Sequence, residues 1–374
     1  MQFTADQTEQ TLWQRLSSQP HRLFFASSLL WGVILMSFSM GSYIGMEIDF
    51  SSIHGNGLLY GLFVNAFLGF LSTVIPRYSQ SQEISRKTYL SFWLFYQMGL
   101  ALWFIGFHLA GQALTGLALM TIGFIYFRTI RTGGYPNEPD SLWLAALLFV
   151  SGIILVLQLF FSFSLQWTGI WVTVLPITFT VAQRMIPFFY AGYFRSHYNK
   201  PGWVVPFFVL GSWGIALGGG SSLLTSLLGF VLSLGTAYFL WTLDIYWKAP
   251  AILRILTLGL LWLPVGLFMI GVESFWEVYT FKMGIHILLL GFIFTLLIGF
   301  GTRVLLGHSG QKIIAERITI VLFTLTQLVV IFRVIASLLF TLEIQAFVPF
   351  VHLGFTLFIL LLVIWGIKYR KAIF

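Results

Sequence analysis

Runs of about twenty apolar residues recur along the whole chain, and no other feature restricts the fold as tightly. Coiled as an α-helix rising ~1.5 Å per residue, such a run spans the ~30 Å hydrocarbon core of a bilayer. In lipid, an open sheet or an exposed loop leaves backbone groups without partners, so the runs read as helices. The expected fold is therefore all-α, a polytopic membrane bundle of about 12 transmembrane helices. The predicted spans are 22–45, 57–76, 88–109, 112–128, 141–163, 168–191, 202–218, 221–243, 250–270, 280–303, 317–340 and 347–367. Composition agrees: 58% of the 374 residues are hydrophobic and 9% are charged, whereas soluble domains carry roughly a quarter charged residues.

Residues 1–20 contain acids and no apolar core, so they read as a short N-terminal segment and not as a signal peptide. Residues 21–374 then form a single membrane domain with short loops. When the termini and the even-numbered loops are placed on one side, that side collects nearly all the lysines and arginines, from Arg15 and Arg22 to Lys368, Arg370 and Lys371. The other side keeps Lys282. By the positive-inside rule both termini are expected in the cytoplasm. The formal charge of +8 thus concerns topology and lipid headgroups, and gives no support for nucleic-acid binding. The absence of cysteine excludes disulfides, thiolate-bound copper, cysteine-ligated haem and covalent haem attachment.

The same reckoning sorts the histidines. His21, His197 and His308 fall at the basic, cytoplasmic ends, and His54, His108, His286 and His352 at the outer ends of the second, third, tenth and twelfth spans. Four imidazoles at one depth can form a metal or haem layer; taken singly, each is an interfacial side chain. His286 and His308 stand twenty-two positions apart, which is ~33 Å along a helix. They cannot share one metal, and each belongs to a different face of the membrane.

Other polar features carry two readings each. Arg333 lies well inside the eleventh span. It either holds an anionic group such as a haem propionate, or snorkels outward or pairs with Glu343. Arg184, between Pro176 and Pro187, is a cytoplasmic anchor or a contact tying helices together. His54, Gly57, Gly61, Asn65 and Gly69 follow three- and four-residue steps, a stripe suited to ordinary helix packing or to a flat macrocycle. Met36, Met40, Met46 and Met283 are Cu(I) ligands by chemistry and core filler by habit. No internal repeat between the halves is evident, and no His-His or His-x-x-x-His pair points to a haem-copper oxidase.

The run HILLLGFIFTLLIGFGTRVLLGHSG, from His286 to Gly310, resembles the corresponding span of the NnrS family, which closes on Thr/Ser-Arg-Val-x-Leu-Gly-His-Thr-Gly. PHRLFFASSLLWGV, STVIPRYSQ, QRMIPFF and Arg333 fall at matching places, so the resemblance covers nearly the whole chain. It implies a twelve-span bacterial inner-membrane protein that contains haem and copper and is linked to nitric oxide and nitrosative stress. On this chain it implies metal-binding histidines at His54, His286 and His308, with His352 and His108 behind them, and supporting positions at Arg184, Arg303 and Arg333. The second span departs from the family's Trp-His-Ala-His-Glu, reading Ile53-His54-Gly55-Asn56-Gly57. If the missing histidine ligates metal in relatives, this chain holds fewer metals or substitutes His108 or His352.

The leading expectation is one haem b in the outer half of the bundle. His54 and His286 are its candidate axial ligands, with Arg333 near a propionate. Nitric oxide or a nitrosylated iron species is the expected ligand, and an electron donor the expected partner. The rival expectation is a secondary transporter, since twelve spans with Pro- and Gly-broken helices suit a carrier as well.

Overall fold

The computed structural model describes residues 11–47, 49–194, 201–220, 222–243 and 249–374, and every element among them is helical. His197, Arg195, Lys200 and Lys248 lie outside the described residues. Ten helices are long and apolar enough to cross a membrane. In chain order, with two further apolar helices included, the principal elements are α1 (Pro20–Tyr43), α2 (Ser51–Tyr78), α3 (Arg86–Phe104), α4 (His108–Arg131), α5 (Pro139–Leu157) and α6 (Leu165–Phe194). They continue as α7 (Val204–Gly218), α8 (Leu223–Thr242), α9 (Ala251–Phe275), α10 (Met283–His308), α11 (Arg317–Thr341) and α12 (Phe347–Lys368). α3 and α7 fall outside the ten, so twelve spans is an approximate count.

Two boundaries differ from expectation in ways that matter. α2 begins at Ser51 and not at residue 57, because Asp49 accepts hydrogen bonds from the backbone of Ser51 (3.1 Å) and Ser52 (3.3 Å) and starts the helix early. His54 is therefore within the helix. α3 stops at Phe104, since Gly106 adopts φ +109° and turns the chain. His108 consequently opens α4 and does not close α3, a turn concealed by the unbroken apolar run around it.

Three helices form the centre. α2, α6 and α10 have 89%, 78% and 72% of their apolar windows buried, against 33–56% for the other seven long spans. Each central helix carries a π-helical stretch in its first half, at Ser51–Val64, Gly169–Val174 and Ile287–Phe294. A π-turn widens the helix and tends to occur where function demands it. Neither composition nor spacing announces it.

The central helices expose a repeat by thirds, which a search between halves misses. α1–α4, α5–α8 and α9–α12 are three units of four helices, each with its second helix at the centre. The ring closes through unit junctions α4 on α5, α8 on α9 and α12 on α1. The first and third units even repeat a polar lock. Trp31 Nε1 donates to Gln97 Oε1 (2.8 Å), and Gln97 Nε2 donates to Asn65 (3.0 Å). Likewise Trp262 Nε1 donates to Gln327 Oε1 (2.9 Å), and Gln327 Nε2 donates to Thr295 (3.1 Å). Such bonds tie helices in a setting where apolar faces alone discriminate poorly between neighbours.

Candidate functional site: a histidine pair at the head of the central helices

α10 starts from a strained turn. Phe281 and Lys282 both adopt left-handed backbone angles, φ +54° and +58°, in a region costly to side chains with a Cβ. The carbonyls of this turn are each put to use. Lys282 O accepts a hydrogen bond from His286 Nδ1 at 2.8 Å, and Phe281 O accepts one from Arg333 at 2.6 Å. Glu273 braces the turn from α9 by accepting from Thr280 Oγ1 and from the Gly284 amide at 2.9 Å. Because a carbonyl only accepts, the proton of His286 is on Nδ1, and its Nε2 lone pair is free to ligate.

His54 faces His286 from α2, with ring centroids 6.2 Å apart and ring planes 29° apart. Phe50 stacks on His54 at 4.8 Å, and Phe355 meets it edge-on at 5.9 Å. His54 Nδ1 is buried and has no hydrogen-bond partner among the described residues. Two imidazoles that held one ion through their ring nitrogens would have ring centres up to ~6.3 Å apart, from a metal–nitrogen bond of ~2.0 Å and ~1.1 Å from nitrogen to ring centre, and the observed separation falls within that reach. Among the described residues no group of three or more His, Cys, Asp or Glu could hold a metal ion. Two donors suffice only where the remaining ligands come with the metal, and a haem macrocycle brings four nitrogens of its own.

Arg333 completes the site from α11. Its guanidinium donates to Ser337 Oγ and Phe281 O and lies 4.5 Å from the centre of the Phe281 ring. It acts electrostatically on both His54 and His286. Of the two readings of Arg333, the structure has the inward one: the side chain turns in beside the imidazoles and does not snorkel or pair with Glu343. Phe340 and Phe347 pack around Phe281 and help exclude water.

The remaining predicted residues divide. His352 stands at the rim, edge-on to Tyr43 at 5.4 Å, and Tyr43 packs on Phe355 at 5.8 Å. His108 is exposed on a helix packed between α3 and α5, away from the pair. Arg303 lies 3.7 Å above the Phe189 ring near the basic end. Arg184 is the helix-tying contact and not a lipid anchor: it pairs with Glu138 and, at 3.4 Å, with Asp140, and covers the Tyr78 ring at 3.7 Å. Both carboxylates are buried at the start of α5. The glycine stripe packs helices. Gly57 and Gly61 lie against Leu35 and Trp31 of α1, and Gly69 against Phe24 and the His21 backbone, leaving no open face there for a macrocycle.

His308 is where the sequence puts it, at the opposite end of α10 from His286. The glycine that follows it is structural. Gly310 adopts φ +68°, with Gly310 N–H bonded to Gly307 O (3.3 Å) and Gln311 N–H to Leu306 O (3.0 Å). That pair of bonds is the Schellman termination of a helix. What the sequence leaves undetected is its neighbour: His21 lies 4.4 Å away, ring centre to ring centre. The only sequence signal was that both histidines sort to the basic end.

Fold and site together define a polytopic helical membrane protein whose central helices bring two imidazoles and an arginine together at one end. The chain belongs to the NnrS family: the profile described as NnrS protein matches residues 15–374. Membership makes it a membrane protein linked to the nitric oxide response. No curated protein and no solved structure matches the chain.

Proposed function

We propose that this is a haem protein that handles nitric oxide or a nitrosylated iron species in nitrosative-stress resistance, with His54 and His286 holding the haem iron. The observation that carries the reading is the 6.2 Å separation of these two rings, together with the Nδ1 hydrogen bond that frees His286 Nε2. A bound b-type haem would supply an iron able to take a diatomic ligand or to exchange single electrons. The chain's own groups do the rest. Lys282 O fixes the tautomer and the angle of His286. Arg333 offers positive charge beside the pair, suited to a propionate. Phe50, Phe355 and Phe281 keep the site apolar. By charge distribution the pair lies at the outer side of a bacterial inner membrane, with both termini cytoplasmic. Copper, the second metal the family implies, would find His352 as the nearest remaining imidazole at that end.

An imidazole pair at this separation also supports a second reading, electron transfer, because ligand binding needs a vacant position on the iron. The reduced-minus-oxidised spectrum of the purified protein, with and without nitric oxide, separates the two. Bands that shift with nitric oxide support ligand handling, and b-type bands indifferent to it support electron transfer. Colourless, fully folded protein overturns both and restores the carrier.

A further inference from the structure

The second histidine pair, at the basic end, is built differently from the first. His21 is the second residue of α1 and has no solvent exposure, yet neither ring nitrogen has a hydrogen-bond partner among the described residues. Leaving such a buried polar group unpaired costs free energy, so His21 is a candidate to bind a group from outside the chain. Arg22 Nε is buried and unpartnered in the same way. Arg22 and Arg77 both act electrostatically on His21 and on His308, while among the described residues the carboxylate Glu83 bears on His308. The twenty-four-residue helix α1 also begins here without a side-chain cap, since Gln19 makes no capping bond. Its uncompensated N-terminus adds partial positive charge.

Charge decides what fits. Two imidazoles alone suit a metal ion, but two arginines and a helix N-terminus make the pocket repel a cation, and no third metal ligand joins the pair among the described residues. The same groups suit an anion. Imidazole N–H, the Arg22 Nε–H and the Arg77 guanidinium are all donors, and Glu83 is the carboxylate that bears on His308 among the described residues. We propose that the His21–His308 pocket binds a phosphate-class oxyanion, held by His21, His308, Arg22 and Arg77 at the start of α1. The ligand is either inorganic phosphate or the headgroup of an anionic lipid. Hydrogenphosphate also offers an O–H for the remaining His21 lone pair, which a phosphodiester does not.

The test uses the full-length protein in detergent and in nanodiscs. Phosphate is titrated calorimetrically into wild type, Arg77→Gln and the Arg22→Gln/Arg77→Gln double variant. Arg77 is exposed, so its replacement leaves the core intact, and circular dichroism checks both variants. Saturable binding that weakens about tenfold or more in Arg77→Gln, as the loss of a charge-assisted bond requires, and vanishes in the double variant supports the site. If phosphate fails but phosphatidylglycerol is retained by native mass spectrometry, and Arg77→Gln releases it, the occupant is a lipid headgroup. Retention of neither by folded wild type overturns the proposal. So does a bound zinc or copper ion lost in His308→Ala and indifferent to Arg77→Gln.

Discussion

Arg184→Met tests the energetics of the bundle where the structure makes them most explicit. Arg184 bridges α6 to the start of α5, and its partners Glu138 and Asp140 are 2% and 4% exposed. Removing one member of a buried ion pair costs about 3–5 kcal/mol, because the remaining charge keeps its desolvation penalty. The Arg184 side chain is 30% exposed, so water screens part of this, and a loss of about 2–3 kcal/mol is the better figure. Loss of the cation–π contact with Tyr78 adds about 0.5–1 kcal/mol. The expected total is about 3 kcal/mol. Glu138 also caps α5, accepting from the Ser141 amide at 2.6 Å, and a glutamine there retains an acceptor oxygen. Glu138→Gln in the Arg184→Met background should therefore restore about 1.5–2 kcal/mol, since it removes the nearer of the two stranded charges and keeps the cap. The assay is SDS-driven unfolding of the purified full chain, followed by tryptophan fluorescence across the four-member cycle. A cycle additive to within about 0.5 kcal/mol would refute the argument and return Arg184 to the status of a surface anchor.

His286→Ala should abolish haem retention while His308→Ala keeps it, because the two rings occupy opposite ends of α10; pyridine haemochrome assays on both variants read this directly, and equal loss in folded protein contradicts the arrangement. Gly152→Val should destabilise by about 2–3 kcal/mol or prevent accumulation, since a Cβ there would stand 2.6 Å from Met120 Cγ and 2.7 Å from its amide nitrogen; unchanged yield and thermal stability would show that α4 and α5 separate readily. Gly310→Ala should cost about 1 kcal/mol through its left-handed angle and leave the haem content untouched; a spectral change would instead tie the His-Ser-Gly motif to the haem.

The two histidines of α10 show how far the chain could be read without its structure. Their placement along the membrane normal was legible, because position along a helix is fixed by counting residues and by the apolar length that must span lipid. The helical class and the inward siting of Arg333 were legible on the same grounds, since a charge inside a span needs a partner or a cavity. Lateral neighbours were not. Nothing in a bilayer distinguishes one leucine-rich face from another, so which helix lies beside which is settled by small residues and a few polar locks far apart in sequence. The Trp31–Gln97–Asn65 lock and its counterpart Trp262–Gln327–Thr295 are of that kind.

Local sequence therefore determined a helical membrane bundle and the opposite-end placement of His286 and His308 on α10. Tertiary structure alone decided that His54 meets His286 and His21 meets His308. It also turned Arg184 toward buried carboxylates and widened the three central helices into π-turns. The physical reason is that depth follows from hydrophobic length, a property of each segment, whereas pairing follows from packing between segments, a property of none of them separately.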